Sequence, residues 1–299
     1  MTAIAAPTPV NPIAAAAARR RRRVPYLLLL PGLLYLFVFY LIPLISLGRM
    51  ALQSGNLQAG YELTWQWANF LQVFTTYRPQ LLRSLGYSVG ATLITLALGY
   101  PLAYAIAFRG GRWKNLLLVL LLMPFLVPFL LRTLAWRIIL ADQGLVVETL
   151  KTIGILPDAN GRLLATGWAV IAGLVYAFLP FMTLPIYVAL EKIDRSLLEA
   201  SGDLYATPAT AFFKVTWPLS LTGVISGTLL TAIPAAGDYI NSQLLGSPAQ
   251  TMMGNVVESK FLSIIDYPSA AAISLTLMLA IVVAVVLYVR SVGSEELIA

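Results

Sequence analysis

Residues 166–190 read TGWAVIAGLVYAFLPFMTLPIYVAL and contain no charged side chain. A helix needs about 20 mostly apolar residues to cross the hydrocarbon core of a bilayer, so this stretch is long enough to span a membrane. Comparable apolar runs lie at 24–47, 85–108, 115–140, 219–236 and 268–290. The pattern therefore predicts an all-α integral membrane protein with about six transmembrane helices.

The composition of the whole chain excludes several other classes of protein. Of its 299 residues, 59% are hydrophobic and 11% are charged, and the mean hydropathy is +0.81. A soluble domain has about 45–50% apolar and about 25% charged residues, so a soluble enzyme, a disordered chain and a coiled coil are excluded. Because the chain has no Cys and no His, we expect no disulfide, no thiolate or His-based catalytic residue and no zinc site.

The distribution of basic residues predicts the orientation of the chain. Five arginines, Arg19 to Arg23, directly precede the first apolar run, and such a cluster holds a cytoplasmic end against anionic lipid. We therefore read the net charge of +7 as a sign of membrane lipid, not nucleic acid, as the partner. Residues 1–23 are predicted to be a disordered basic tail, 24–290 a single transmembrane domain and 291–299 a C-terminal tail, with both termini in the cytoplasm.

Two pairs of glycines have the spacing that lets membrane helices approach closely. Gly86 and Gly90 form one pair, and Gly223 and Gly227 form the other. Small residues four positions apart lie on one helix face, so we expect both pairs to pack against a neighbouring helix.

A polar segment between the fourth and fifth apolar runs carries the clearest functional signal. Residues 193–220 read IDRSLLEASGDLYATPATAFFKVTWPLS. Ser196-Leu-Leu-Glu199 fits a capping box at the start of one helix, and Thr207-Pro208 fits the start of a second. Two short helices on the cytoplasmic membrane face would form a docking surface for a soluble protein.

This segment resembles the EAA loop of ABC importer permeases. The resemblance implies that the loop is the coupling helix that sits in a cleft of a cytoplasmic ATPase. The residues it assigns to this role are Glu199, Ala200, Ser201, Gly202, Asp203, Ala206, Pro208 and Pro218. The family pattern is Glu-Ala-Ala, a Gly a few residues on, and then Ile-x-Leu-Pro. The chain departs from it in three places: Ser201 stands at the third position of Glu-Ala-Ala, Trp217 replaces the Leu before the Pro, and Tyr205 stands where Gly is usual.

The departure at Tyr205 concerns the turn between the two helices. A Gly in such a turn normally supplies a positive φ, and a Tyr in that conformation costs about 1 kcal/mol or more. We therefore expect either a different turn or relaxation at Gly202.

Several other segments resemble the spermidine/putrescine branch of this family, and specifically the first of its two permease subunits. They are Met123-Pro124 through Arg132-Thr-Leu-Ala-Trp136, Gly237-Asp238-Tyr239-Ile240, Gln243-Leu-Leu-Gly246, Met253-Gly254-Asn255 and Tyr267-Pro268. Relatives that import aminoethylphosphonate, ferric iron or thiamine share much of this pattern, so these cargoes stay open as alternatives.

The resemblance also implies the partners. They are a second homologous permease subunit, a cytoplasmic ATPase dimer and an extracytoplasmic solute-binding protein, in the inner membrane of a bacterial cell. We expect no cofactor in this chain, because ATP and Mg belong to the partner ATPase. The sequence contains no Gly-Lys dipeptide and hence no phosphate-binding loop of the G-x-x-x-x-G-K-[ST] type, so the chain is not an enzyme by itself.

Candidate residues for the substrate pathway lie near the outer ends of the spans. They are Asp238, Tyr239, Trp136 and Asp142. The simpler alternatives are that Asp238 marks a helix end and that the aromatic residues are interface anchors. We expect Arg132 and Arg137, in the outer part of the third run, to pair with acids such as Asp142 or to face the solute-binding protein.

Two other functional classes are disfavoured. An ion-coupled secondary transporter needs ionisable residues near the bilayer centre, and the first, second, fourth, fifth and sixth runs have none there. A membrane-embedded lipid enzyme needs paired carboxylates or metal ligands. Asp194, Glu199 and Asp203 form the only inner acidic cluster, and their spacing does not place all three on one helix face.

Overall fold

The computed structural model describes residues 28–154, 156 and 162–292, most of which are helical. The chain divides into two units, one ending at Met50 and one beginning at Ala51. Among the described residues, five helices are long and apolar enough to cross a membrane, and a bent helix pair makes a sixth span if it is counted as one. The predicted tail at 1–23 and residues 293–299 of the predicted C-terminal tail lie outside the described residues.

In chain order the elements are α1 (Leu28–Ala51), β1 (Gln53–Asn56), β2 (Gly60–Leu63), α2 (Ala68–Thr75), α3 (Arg78–Arg109), α4 (Gly111–Leu126), α5 (Phe129–Ile139), α6 (Leu145–Thr152), α7 (Gly167–Glu191), α8 (Arg195–Asp203), α9 (Pro208–Gly237), α10 (Ile240–Leu245), α11 (Met253–Glu258) and α12 (Tyr267–Val292). Single π-helical turns lie within α1, α3 and α9 and directly after α11. Helices α3 and α9 begin well before the apolar runs at 85–108 and 219–236, because hydropathy detects only the apolar part of a helix.

Helices α3, α7 and α9 pack together as the core of the second unit. One buried cluster joins all three, with Tyr100 and Ala103 from α3, Met182, Ile186 and Leu190 from α7, and Val224 from α9. Polar side chains add hydrogen bonds between helices, which are favourable where no water competes. The Ser88 hydroxyl donates to the Ala232 carbonyl oxygen at 2.7 Å, and the Tyr100 and Ser220 hydroxyls lie 2.8 Å apart.

The second predicted glycine pair lies where α9 crosses α7. A Cβ on Gly223 would lie 2.6 Å from the carbonyl oxygen of Pro185, and a Cβ on Gly227 would lie 2.8 Å from that of Met182. The expectation of close packing is therefore confirmed for this pair. The first pair shows no such close approach to the part of the chain that the structure describes: a Cβ on Gly86 would meet no atom within 4 Å there, and one on Gly90 would make only an ordinary contact, with Ile171 of α7.

A short β-hairpin follows α1, where no strand was expected. Strands β1 and β2 pair antiparallel, with Gln53 opposite Leu63 and Asn56 opposite Gly60. The Asn56 side chain closes the turn by accepting from the backbone N–H groups of residues 58 and 59. The Asn69 side-chain amide donates to the carbonyl oxygens of Ala51 and Gln53, which fixes α2 against the base of the hairpin.

The predicted span at 115–140 is broken. Helices α4 and α5 meet at an angle of 92°, and the backbone at Val127 and Pro128 is extended. Pro128 lacks an N–H and restricts the residue before it to extended conformations, which explains why the helix stops here instead of only kinking.

We expect Gly223→Ala to destabilise the protein by about 1–3 kcal/mol, because the new methyl group would push α9 away from the Pro185 carbonyl. Gly86→Ala is the matched control. It faces open space inside a helix and should stabilise by about 0.5–1 kcal/mol. Thermal unfolding in detergent, followed by tryptophan fluorescence, measures both variants, and equal effects would contradict the packing described here.

Candidate functional site

The polar segment between α7 and α9 begins with a capped helix. Asp194 is the N-cap of α8, and its Oδ1 accepts from the Ser196 N–H at 2.9 Å. This hydrogen bond holds the pKa of Asp194 below its ordinary value. The predicted capping box with Ser196 as the cap is wrong, because an aspartate two residues earlier is available and satisfies the free N–H groups first.

Helix α8 ends in a Schellman motif that requires a left-handed residue. The Ala206 N–H donates to the Ser201 carbonyl and the Tyr205 N–H donates to the Gly202 carbonyl, at 3.0 and 2.9 Å. Tyr205 occupies the left-handed position with a φ of +59°. The turn is thus the one that Gly normally makes, Gly202 stays helical, and Tyr205 bears the strain.

The second short helix starts as predicted. Thr207 is the N-cap of α9, its hydroxyl oxygen accepts from the Thr210 N–H at 3.2 Å, and Pro208 occupies the first helical position. A π-helical turn at Phe212–Thr216 then leads into the membrane-spanning part of α9.

An aromatic cluster joins this segment to the helix core. The ring of Phe212 lies 5.7 Å from that of Tyr100 on α3 and 6.3 Å from that of Trp217, and the rings of Tyr100 and Trp217 are 5.1 Å apart. Because these rings pack together and the Tyr100 hydroxyl also contacts that of Ser220, a movement of the start of α9 would displace α3 as well.

Most of the predicted coupling residues lie on the surface. Glu199, Ala200, Gly202, Asp203, Pro208 and Pro218 are exposed, whereas Ser201 and Ala206 are partly buried inside the turn. At the tip, Leu204 is 81% and Tyr205 is 96% exposed. An apolar tip on a strained turn is typical of a segment that another protein covers.

On the opposite end of α9, Asp238 caps a short helix instead of projecting into an open site. It is 9% exposed, its Oδ1 accepts from the Asn241 N–H at 2.8 Å, and its Oδ2 accepts from the Asn241 side-chain amide at 3.1 Å. The Asn241 Oδ1 accepts from the Thr133 hydroxyl at 3.4 Å, which ties α10 to α5. Burial raises the pKa of Asp238 to about 6, against the lowering effect of the bonds from Asn241.

The other three outer residues do not form one cluster with Asp238. Tyr239, the next residue, is 39% exposed, whereas Asp238 is buried. Trp136 lies one helical turn after Thr133, and its ring packs edge-on against Tyr176 at 5.2 Å. The carboxylate of Asp142 pairs with the exposed Arg162 at 3.3 Å.

The expectation that Arg132 pairs with an outer acid is wrong. Arg132 is 7% exposed and donates to the Pro124 carbonyl oxygen at 3.2 Å, and its guanidinium packs near three aromatic rings. Sequence reasoning missed the residues around it. Asn241 could have been found from its position three residues after Asp238, which fits a helix cap, but nothing in the sequence marks Tyr176.

Comparisons with known proteins agree with this architecture. The family model described as "Binding-protein-dependent transport system inner membrane component" matches residues 96–291. The spermidine/putrescine transport system permease protein PotB of Escherichia coli is 40% identical over 215 residues, which cover 72% of this chain and 78% of that protein. PotB of Haemophilus influenzae is 36% identical over 261 residues, covering 86% and 90%.

A solved bacterial ABC transporter, involved in the import of the acidic polysaccharide alginate, has the same fold. The TM-score is 0.65 at 16% identity, and the match covers 92% of this chain and 96% of the solved chain. This likeness and the family match together confirm the predicted fold class, an all-α membrane protein with the fold of an ABC transporter membrane domain.

We expect Tyr205→Gly to stabilise the loop by about 1 kcal/mol, because glycine adopts a positive φ without strain. Tyr205→Ala keeps the strain and removes the ring, so it should give no such gain. Hydrogen exchange of the backbone amides at 200–206 measures local opening. Equal protection in both variants would contradict strain at this turn.

We also expect the stability contributed by Asp238 to depend on pH. The folded pKa of about 6 lies above the ordinary value of 3.8, so the folded protein binds the proton more tightly. Stability should therefore rise as the pH falls from 7 to 5, by on the order of 1 kcal/mol. Asp238→Asn keeps the cap but does not titrate, and its melting temperature should lack this component. The same pH response in both proteins would refute the assignment.

Proposed function

Because the chain belongs to the binding-protein-dependent transport system inner membrane components, we propose that it is the permease subunit of an ABC importer that moves spermidine and putrescine into the cytoplasm. Its similarity to the two PotB proteins carries the choice of cargo. The chain is a multi-pass protein of the inner membrane, in agreement with its five or six membrane-spanning helices.

The coupling residues on α8 and its turn would bind a separate cytoplasmic ATPase dimer, which holds ATP and Mg. Their exposure, and the apolar tip at Leu204 and Tyr205, support this role. A partner that buries this tip would gain an apolar contact with the Tyr205 ring. That contact would offset the backbone strain at Tyr205. ATP hydrolysis is assigned to that partner, since this sequence lacks a phosphate loop.

The aromatic cluster of Tyr100, Phe212 and Trp217 would transmit the movement of the ATPase. When the two ATPase subunits close on ATP, the coupling loop moves, and the tight packing carries the displacement into α3 and α9. The helices then rock between inward-open and outward-open states around the cargo.

At the outer end, an extracytoplasmic binding protein would deliver the cargo to a mouth formed with a second homologous permease. We assign the outer pathway to Asp238, Tyr239, Trp136 and Asp142. Tyr239 is partly exposed, Trp136 offers a ring, and Asp142 adds an exposed carboxylate. Asp238 contributes a negative charge but keeps both oxygens on Asn241, so its contribution is to the local potential and to the position of Tyr239.

The ATPase activity of the whole complex tests the proposal. We would reconstitute the permease pair, the ATPase and the loaded binding protein in nanodiscs. Spermidine, putrescine, aminoethylphosphonate, ferric ion and thiamine would be supplied in turn. We expect stimulation by the polyamines alone. Glu199→Lys should lower that stimulation at least about tenfold by breaking the contact with the ATPase. Glu148→Lys makes the same charge change at an exposed position of α6 and should leave ATPase binding unchanged.

Each result bears on a different part of the proposal. Stimulation by one of the other solutes would retain the importer and reject the polyamine cargo. Failure of the wild-type chain to bind any ATPase subunit would reject the importer itself.

A further inference from the structure

At the break between α4 and α5, a buried cation is surrounded by aromatic rings. The guanidinium carbon of Arg132 lies 5.3 Å from the ring centre of Phe129, 5.8 Å from that of Phe125 and 5.9 Å from that of Tyr176. We call these three rings the aromatic cage. In the described part of the chain the ion pairs are Lys114–Glu191, Arg162–Asp142 and Lys260–Asp266, so no carboxylate there neutralises Arg132.

The cage is part of a longer row of aromatic side chains. The ring of Trp136 packs against Tyr176 at 5.2 Å, and the ring of Phe181 packs against Phe125 at the same distance. The faces of such rings carry negative partial charge and attract cations, and they do so more strongly where water is excluded. The row is therefore a surface that suits organic cations in general, of which the guanidinium of Arg132 is one.

The position of the break indicates that this surface does not face lipid. Helix α4 has 16 residues, so the break lies about 24 Å along it, inside a hydrocarbon core of about 30 Å. Irregular backbone at membrane depth occurs only where protein covers it or where it lines a water-filled cavity. In this chain Leu126 and Val127 are 80% and 45% exposed, so the described residues do not cover the break themselves.

The cage holds one cation at a time. Two unit charges about 5 Å apart, at an effective dielectric constant of about 20, repel each other enough to weaken binding on the order of a hundredfold. A second organic cation can therefore bind between these rings only if the Arg132 guanidinium leaves them. Because the structure gives Arg132 a single hydrogen bond, to the Pro124 carbonyl, that displacement breaks no ion pair.

We propose that the aromatic cage is a cation-binding station on the translocation pathway, and that Arg132 occupies it until an ammonium group of the cargo displaces the guanidinium. This inference rests on the proposed function, since it assigns the polyamine to these rings. The station attracts a cation through ring faces without a carboxylate, so it binds weakly enough to release the cargo, as permeation requires. The returning arginine would then favour release.

Equilibrium binding of radiolabelled spermidine to the complete complex in nanodiscs, without the binding protein, tests this exchange. We expect Arg132→Gln to raise the affinity for spermidine at least about tenfold, because it removes the competing charge. Arg132→Lys keeps a competing cation and should bind like the wild type. Adding Tyr176→Leu to Arg132→Gln should cancel most of the gain, whereas adding Tyr176→Phe, which keeps the ring face, should preserve it.

A purely structural role for Arg132 gives a different pattern. If the Arg132→Gln complex assembles with a wild-type melting temperature and binds spermidine no better than the wild type, the proposal is wrong. If Arg132→Gln instead prevents assembly with the second permease while Arg132→Lys permits it, Arg132 binds a carboxylate of that subunit and the proposal is again wrong.

Variants that keep Arg132 supply a second readout. In polyamine uptake by the complete system, Tyr176→Leu should raise the KM at least about threefold, while Tyr176→Phe leaves it unchanged. If Tyr176→Leu and Tyr176→Phe give the same KM while uptake is otherwise normal, the aromatic cage is not a binding station, and the proposed function still stands. A wild-type system that imports no polyamine would reject the proposed cargo and the station with it, so the two failures are distinguishable.

Discussion

A lipid bilayer offers no water to the backbone, so each N–H and C=O group inside it must find a partner within protein. This constraint makes the spans helical. It also means that a break in a span requires protein or a water-filled cavity beside it, which a break in a soluble protein does not. The helices α3, α7 and α9 satisfy it internally and then pack through glycines and hydroxyl groups. The break at Val127 and Pro128 is the exception. There the Pro124 carbonyl accepts from the Arg132 side chain as well as from the Val127 N–H, because residue 128, whose N–H would bond it in a continuous helix, is a proline.

Local rules were enough to predict the helical class and much of the coupling loop. Apolar runs reveal spans because the membrane demands them, and Thr207-Pro208 marks a helix start because both residues act on the adjacent turn. The same rules failed where two local solutions competed. Asp194 and Ser196 are both good caps, and only the structure shows that the earlier one begins the helix. At Tyr205 the sequence showed that a turn with positive φ would be strained. The structure shows that this turn forms nevertheless, with hydrogen bonds from the N–H groups of Tyr205 and Ala206.

Long-range arrangement was beyond the sequence. The cage around Arg132 depends on Tyr176, more than 40 residues away, and no spacing rule connects the two. By charge, Asp142 was the expected partner of Arg132. Its carboxylate pairs with Arg162 instead, and Arg132 packs against aromatic rings. The hairpin at Gln53–Asn56 and Gly60–Leu63 was not predicted. Its strands are four residues each and contain Gly and Asn, which are uncommon in strands.

The sharp bend between α4 and α5 also bears on how the protein is made. Helix α4 is about 24 Å long and α5 about 17 Å, so neither alone reaches across a core of about 30 Å. During biosynthesis we therefore expect α4 and α5 to enter the bilayer as one apolar segment. The 92° bend would then form after insertion, when other helices pack against it. The final shape of this region would in that case depend on assembly and not on the insertion of the segment alone.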